Sequence, residues 1–440
     1  MKIAWCTPLS RRSGISKFSL AVVQALAPLA QVDIWCTKAD DDFPVDFAAV
    51  HELGEDEATL ALLREYDAVV YNLGNSIHHH EVIYRVACRV RGTAIVHDKY
   101  MHHFFASYYL EKLKSLPKYA LTMRHYYGDY GKNLALRTLW SGRLLWETEE
   151  IVRYPLFEPG LWNANAVIVH SHEALMRLAP KLGMVPVKRL HHPFYLYDYE
   201  YGDKPLLSRR ELGLPEDKQV LLTLGFLNAN KRVDTVIKVL AAHPELRNRV
   251  VYVVAGGWVS QTNVDYLKDL AKAQGVSDLV RFAGYLDDHT MHSYLATADI
   301  GLNLRYPSIE SSSGSLIEQL YFRKPVIVTR IAAFDELPDE CVVKVGMDDE
   351  AGNLERGLLR LLDDAEFRDA TARAGHAWAQ KNCQGGRYAS EFVSFLASLR
   401  SHAALDFVDG ISDQLSAFLH PGLHEEYSAS LAADIGEILD

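Results

Sequence analysis

The sequence predicts an α/β protein built from two doubly wound domains facing a cleft. Three observations carry this reading. Short Val- and Ile-rich runs without polar alternation recur along the chain, as in strands buried on both faces of a parallel sheet. Segments of helical period separate them. The alternation halts at a polar, Pro-containing stretch near 200–216 and then begins again, so one such sheet follows another. A length of 440 residues suits two or three domains.

In the first series, strands are expected at Lys2–Thr7, Val32–Thr37, Ala68–Leu73, Thr93–His97, Ala166–His170 and Arg189–Pro193. Ser13–Ala30, broken near Pro28, reads as the helix after the first of them. The second series has strands at Val220–Leu224, Val250–Ala255, Val280–Phe282, Ile300–Leu304, Pro325–Thr329 and Cys341–Val345, with helices at Val233–Ala242, Val264–Ala273 and Ser315–Tyr321. The expected organisation is a Rossmann-like domain over 1–198 and a linker at 199–216. A second Rossmann-like domain covers 217–385, and a helix at 386–400 returns to the first. Two regions break the alternation: a helical insertion at about 100–162, and an acidic extension at 401–440. Open sheets of this kind bind ligands outside the carboxyl ends of their strands, and a cleft between two such domains is the expected active site.

Composition narrows the function. Hydrophobic residues make up 49% and charged residues 23%, as in a soluble globular protein. The net charge of −11 argues against a nucleic-acid partner, which requires a basic face. The charge is uneven: residues 1–195 carry 22 Lys+Arg against 20 Asp+Glu, leaving 24 against 37 for the remainder. The five cysteines are odd in number and form no C-x-x-C, so neither a disulfide scaffold nor a zinc ribbon is expected. A reducing, cytoplasmic setting fits. There is no secretory segment and no apolar run of membrane-spanning length.

The strongest chemical signal runs from Tyr306 to Glu318, Tyr-Pro-Ser-Ile-Glu-Ser-Ser-Ser-Gly-Ser-Leu-Ile-Glu, after the strand ending at Leu304 and at the start of a helix. Backbone N–H groups of Ser312, Ser313, Gly314 and Ser315 beside a positive helix end suit an anion such as a diphosphate. Glu310 and Glu318 flank that run and can accept hydrogen bonds from sugar or ribose hydroxyls, each worth about 1.5–3 kcal/mol. A structural reading stands beside it: Ser315-x-x-Glu318 is also a capping box, and Glu310 can be a solvated loop carboxylate.

The second signal is Gly225-Phe-Leu-Asn228-Ala-Asn-Lys231-Arg232, a strand end, a polar turn and a helix start. Lys231 as a point charge and Arg232 as a fork would meet a phosphate there; two solvated charges at a helix start are the alternative. No G-x-x-x-x-G-K-[ST] occurs, which excludes a P-loop. His97-Asp98 ends a strand, where a His can donate to a sugar hydroxyl or move a proton, or be a satisfied strand-end His held by Asp98. Gly14, after the first strand, would let backbone N–H groups meet a ligand, though no G-x-G-x-x-G is present. His78, His79, His80, His102 and His103 read as surface or packing residues, and Asp40-Asp41-Asp42 as a solvated turn. No metal-ligand spacing is found.

Residues 100–146 interleave Lys112, Lys114, Lys118, Arg124, Lys132, Arg137 and Arg143 with tyrosines and tryptophans, against only Glu111 and Asp129. Such a stretch suits an anionic membrane surface, or an insertion packed on its own domain.

In order, these segments resemble the retaining glycosyltransferases of family 4, which have the GT-B fold. The resemblance covers about residues 1–400 and is most specific at Glu310/Glu318 followed by Lys324-Pro325-Val326-Ile327-Val328. Val254-Ala255-Gly256-Gly257, Phe282-Ala283-Gly284-Tyr285 and Ala298-Asp299 support it. Tyr71-Asn72-Leu73-Gly74-Asn75 with His97-Asp98 is similar to bacterial members that build surface polysaccharides. The resemblance implies transfer of a sugar from a nucleotide-diphosphate donor to a glycan or lipid-linked acceptor, with configuration retained and no metal or other cofactor. It implies that Glu310 contacts the donor sugar and Glu318 the ribose. Lys231 pairs with the diphosphate, with Gly225, Asn228, Gly256 and Tyr285 around the donor. His97, with Glu310 and Lys231 a catalytic candidate, lies at the donor sugar or near the acceptor, and Asp98 and Asn75 lie toward the acceptor, which the N-terminal domain would bind. A nucleotide-sugar epimerase and a non-catalytic scaffold are the rivals. The expected site of action is the cytoplasm, at the inner membrane face through 100–146, and 401–440 would serve a protein partner or self-association. Two segments depart from the family pattern. Phe226 stands where an Arg usually follows the loop Gly, leaving Arg232 as the candidate second cation. Glu310-Ser311-Ser312-Ser313 replaces Glu-Gly-Phe-Gly.

Overall fold

The computed structural model describes residues 1–39, 41–142, 144–194, 204–258 and 261–400. Asp40, Arg143 and the extension at 401–440 lie outside the described residues. The chain divides into two compact units. Among the described residues, unit 1 holds Met1–His191, the short segment Ile309–Ser312 and residues 385–400; unit 2 holds those of His192–Ser308 and Ser313–Gln384.

Unit 1 is a parallel sheet of seven strands in the order β3-β2-β1-β4-β5-β6-β7. The strands are β1 (Lys2–Cys6), β2 (Gln31–Cys36), β3 (Val50–Glu52), β4 (Ala68–Leu73), β5 (Gly92–Val96), β6 (Ala164–Val169) and β7 (Val187–Arg189). Helices α1 (Gly14–Leu26), α2 (Glu57–Leu63), α3 (Ile77–Ala87), α4 (His102–Ala106), α5 (Leu116–Ser141), α6 (Glu158–Leu161) and α7 (His172–Leu178) connect them. Burial on both faces explains the missing alternation: all of β5, and all of β1 after Lys2, is buried.

The edges deviate from the sequence reading. β3 is a three-residue strand whose ends are exposed, so its sequence carries no apolar run. The sixth expected strand, at Arg189–Pro193, lies instead at Val187–Arg189, where Val187 pairs with Val167.

Unit 2 is a parallel sheet of six strands in the order β10-β9-β8-β11-β12-β13. Its strands are β8 (Gln219–Leu224), β9 (Val250–Ala255), β10 (Val280–Gly284), β11 (Ile300–Asn303), β12 (Val326–Thr329) and β13 (Val343–Val345). Its helices are α8 (Val233–Ala242), α9 (Pro244–Arg247), α10 (Gln261–Ala273), α11 (Asp288–Thr297), α12 (Gly314–Tyr321), α13 (Ala332–Asp335), α14 (Glu350–Asp363) and α15 (Ala365–Asn382). Helix α16 (Gly385–Arg400) belongs to unit 1 and packs on α1, with Phe392 edge-on to Trp5 of β1 at 5.5 Å.

In each sheet the strand order reverses at one place, between β1 and β4 and between β8 and β11. The loops leaving such a pair diverge and open a crevice. Both halves of the candidate chemistry leave from these strands or their neighbours.

The insertion packs mainly inward. Phe104, Phe105, Tyr109, Tyr119, Met123 and Phe157 belong to the core of unit 1, and Lys132 is buried. Lys112 pairs with Glu81 and Arg124 with Asp129. The insertion's exposed residues include Lys112, Lys114 and Arg124 and, on α5, Tyr130 and Trp140, both more than 60% exposed, with Arg137 between them. No helix among the described residues is long and apolar enough to cross a membrane.

Candidate active site

Unit 1 assembles its part at the carboxyl ends of β4 and β5. His97 follows β5 and is buried. Its Nε2 lies 3.0 Å from Oδ1 of Asn72, whose amide donates to the Cys6 carbonyl at 3.1 Å. Phe18 of α1 stands edge-on to the His97 ring at 4.6 Å. The imidazole is thus held by a side-chain amide and an aromatic wall. The backbone N–H of Asn75 donates to Asp98 at 2.8 Å. The Asn75 side chain accepts from the Phe104 N–H at 2.9 Å and meets His103 Nδ1 at 3.2 Å. Asn75 therefore ties the loop after β4 to the start of α4.

Segment Ile309–Ser312 lies against this loop. Lys99 N–H donates to the Ile309 carbonyl at 3.1 Å, and Ser311 N–H to the His97 carbonyl at 2.7 Å. These bonds bracket an antiparallel bridge between Asp98 and Glu310. The hydroxyl of fully buried Ser311 accepts from the His170 N–H at 2.8 Å, at the end of β6. This explains one departure from the family pattern, because a glycine at 311 has no oxygen to offer that N–H. Glu310 is accordingly no solvated loop carboxylate, and its Oε2 is buried. Burial first, then the neighbouring Glu310 charge, pushes Asp98 up to about 7, against the Asn75 N–H and Lys99, which hold it down. Lys99 is fully buried on Glu173 at 2.7 Å; burial lowers its pKa while Glu173 opposes.

Of the packing histidines, His80 and His102 are buried. His80 binds the Asn72 carbonyl, and burial lowers it to about 3. His102 lies 2.6 Å from the Tyr119 hydroxyl. Gly14 is the first residue of α1, and a Cβ there would meet nothing within 4 Å. In the acidic turn, Asp41 accepts from the Ser10 hydroxyl at 2.8 Å and Asp42 from the Ala39 N–H at 2.9 Å, so both carboxylates shape the loop.

Unit 2 assembles the second part around β8 and β11. Gly225 (φ +91) and Gly256 (φ +139) let the ends of β8 and β9 close up; a Cβ on Gly256 would lie 2.4 Å from the Gly225 carbonyl oxygen. Lys231 ends a 3₁₀ turn, Ala229–Lys231, and its buried ammonium donates to the Leu224 carbonyl at 2.7 Å. A Cβ on Gly225 would come within 3.1 Å of that ammonium. Asn228 Oδ1 and Asn230 Oδ1 are buried with no hydrogen-bond partner among the described residues. Phe226 and Tyr285 are exposed aromatics near Gly257, where a Cβ would fall 2.9 Å from the Phe226 ring and 3.8 Å from Tyr285 Cβ.

Arg232 is an ion-pair residue. Its Nε lies 3.0 and 3.1 Å from the two oxygens of buried Glu350, which also accepts from Thr235 at 3.0 Å. Arg232, expected as a second cation for a phosphate, thus shares its charge with Glu350. The cation that sequence reasoning missed is Arg305, buried two residues after β11. It donates to the Leu304 carbonyl at 2.8 Å, and its Nη2 lies 3.4 Å from the Ser315 hydroxyl. A charged residue close after a buried strand was the available signal.

At the start of α12 the cap is Ser313, whose hydroxyl accepts from the Leu316 N–H at 3.3 Å. The capping-box reading of Ser315 and Glu318 is therefore corrected. Ser315 already lies inside the helix, and Glu318 is buried one turn beyond the cap. Asn303 links the Ser315 hydroxyl and Gln319, each at 3.1 Å, and so fixes the helix start over β11. Among the described residues, a group that could hold a metal ion is His243 between α8 and α9, Glu245 on α9 and Glu355 on α14.

Comparison with known proteins gives the class. Residues 207–378 match the model of the glycosyl transferases group 1, so unit 2 carries a glycosyltransferase group 1 domain. A D-inositol 3-phosphate glycosyltransferase of Streptomyces coelicolor is 29% identical over 247 residues, 53% of this chain and 49% of the relative. The chain thus spans about half the length of that curated relative. The structure is similar to Anabaena HepE, solved with UDP and glucose (TM-score 0.61, 15% identity, 90% of this chain and 100% of the other). It is also similar to WaaG, a glycosyltransferase involved in lipopolysaccharide biosynthesis (TM-score 0.58, 16% identity, 88% and 98%). The fold is the GT-B fold of two parallel-sheet α/β units.

Proposed function

We propose that this chain is a retaining glycosyltransferase of family 4 that moves a sugar from a nucleotide-diphosphate donor to a glycan or lipid-linked glycan acceptor. The observation that carries the reading is the pair of loops at the β8/β11 reversal within the group 1 domain. One brings the Lys231 ammonium to the Gly225 turn, and the other presents the capped start of α12 with Glu318 beneath it.

In this reading the α12 backbone N–H groups at Gly314 and Ser315 and the Lys231 ammonium hold the diphosphate. Arg305 adds positive charge behind Ser315. Glu318 accepts from the ribose, the buried oxygens of Asn228 and Asn230 accept further hydroxyls, and Phe226 and Tyr285 offer faces to the base. Glu310 binds the donor sugar, with His97, Asp98 and Asn75 on the acceptor side. Positive charge near the diphosphate stabilises the leaving group without requiring a metal. HepE, solved with UDP and glucose, supports a nucleotide-sugar donor, and WaaG, involved in lipopolysaccharide biosynthesis, supports a role in surface polysaccharide synthesis. The exposed Tyr130, Arg137 and Trp140 would give a peripheral contact with the inner membrane face, and 401–440 a partner contact.

The test is a thermal-shift screen of UDP, GDP, ADP, CMP and dTDP, with and without EDTA. A ligand at ~100 Kd stabilises the folded state by about 2.7 kcal/mol. One nucleotide should give an EDTA-insensitive shift that Lys231→Ala and Glu318→Ala abolish while folding normally. Absence of any shift would overturn the donor site.

A further inference from the structure

We propose that His243, Glu245 and Glu355 form a binding site for one divalent transition-metal ion of the zinc type, which clips the junction of α8 and α9 to α14 within unit 2. Each residue offers one ligand atom, and the three atoms lie within 4.8 Å of one another. His243 Nδ1 is 2.7 Å from Glu355 Oε1 and 3.6 Å from Glu245 Oε1. Nitrogen and oxygen ligands at about 2.0–2.2 Å from a tetrahedral ion stand roughly 3.3 Å apart. The two observed separations bracket that spacing, so small rotations of the side chains seat the ion.

The backbone sets these side chains in place beforehand. His243 is extended (φ −119, ψ 96), closing α8 and opening α9. Its carbonyl accepts from the Leu246 N–H at 3.0 Å. Pro244 follows with its fixed φ, and Leu246 is fully buried. Glu355 follows Leu354 on α14, which is fully buried in the same core as Leu246. Ligands carried on such anchored elements give the preorganisation that a metal site needs. At the opposite end of α8, Arg232 already binds Glu350, the first residue of α14. The ion would be the second tie between these two helices.

Charge and ligand type agree. The basic residues nearest in sequence have partners of their own. Arg247 donates to the Leu240 carbonyl at 3.2 Å and to that of Ala241. Arg356 donates to Asn353 at 2.9 Å and to Asp349 at 3.3 Å, and Arg249 pairs with Asp363 at 2.7 Å. A neutral imidazole with two carboxylates carries two negative charges, which a divalent ion cancels. A proton shared by His243 and Glu355 would engage only two of the three groups, whereas an ion engages all of them. The imidazole favours zinc and its neighbours over magnesium, which prefers oxygen alone. Three protein ligands leave a fourth position to water.

The test needs neither substrate nor nucleotide, so its failure is distinct from failure of the functional reading. The full chain, stripped with EDTA and dialysed, is titrated with Zn²⁺ by calorimetry. His243→Ala and Glu355→Gln, each checked for folding by circular dichroism, should lose one equivalent of Zn²⁺ or bind it at least about tenfold more weakly. In the wild type labelled at histidine, the His243 ring resonances should move with that equivalent, and Mg²⁺ should leave them in place. The ring signal tests the site even where a variant misfolds. Equal stoichiometry and affinity in the wild type and both folded variants would overturn the site. So would a His243 signal unmoved by Zn²⁺, or one that Mg²⁺ moves as readily.

Discussion

Replacing Ser311 with Ala should loosen the loop that carries Glu310. The serine hydroxyl accepts the His170 N–H at 2.8 Å in a fully buried setting. Alanine removes the acceptor and leaves that N–H without it. An unsatisfied buried donor costs about 1–3 kcal/mol. The second anchor, Ser311 N–H on the His97 carbonyl, is backbone and survives. At ~2 kcal/mol the local opening equilibrium shifts about thirtyfold. For a unit near 200 residues the melting midpoint should fall by roughly 4–8 °C. Because two units need not unfold together, the better assay is local. Hydrogen exchange by mass spectrometry over peptides near 166–175 and 306–314 should rise about thirtyfold, while peptides of β8 and β9 stay unchanged. Ser311→Gly, which restores the family residue, should be no better than Ala. Exchange within twofold of wild type in both peptides would refute the claim that this hydroxyl anchors the loop.

Gly256→Ala should destabilise unit 2 by several kcal/mol, since φ is +139 and the new Cβ meets a backbone oxygen that cannot swing aside; a near-normal denaturation midpoint would contradict it. Arg232→Ala leaves Glu350 buried beside Thr235 without its guanidinium. The loss should be about 2–4 kcal/mol, below that of a fully dry pair because Arg232 is partly exposed. Glu350→Gln in that background should recover part of it, and no recovery would argue against the ion pair. His102 is held neutral: burial, then His103, lowers it to about 4 against the Tyr154 carbonyl bond. The unfolded chain, with a pKa of about 6.5, takes up the proton first. The stabilising effect of neutral His102 is therefore complete above ~6.5 and is lost as pH falls toward 4. Urea midpoints from pH 7 to 4.5 should fall less steeply in His102→Gln, and parallel slopes would count against it.

Much of the architecture was legible because of how parallel sheets bury their strands. Ala68–Leu73 and Val250–Ala255 coincide with β4 and β9, and Val233–Ala242 with α8. Central strands must be apolar on both faces, so the core writes itself into local composition. Edge strands obey no such demand. β3 was invisible, and β7 was displaced into the neighbouring His-His-Pro run. The turn at Gly225 and the helix start at Ser313 were readable for a related reason, since glycine and serine at strand ends mark backbone that must turn sharply or cap a helix.

What the sequence determined by itself is thus the two-sheet α/β plan and the residue types at the strand ends. The partners of those residues were decided only by tertiary structure. Arg232 and Glu350 are 118 positions apart, and Ser311 and His170 are 141 apart. Asp98 meets Glu310 across an intervening chain that includes most of the second sheet. Side-chain charge and hydrogen-bonding capacity are local properties, but their satisfaction depends on which distant groups the packed sheets bring within about 3 Å. The same arginine is a ligand-facing cation or half of a buried ion pair according to what the fold places beside it.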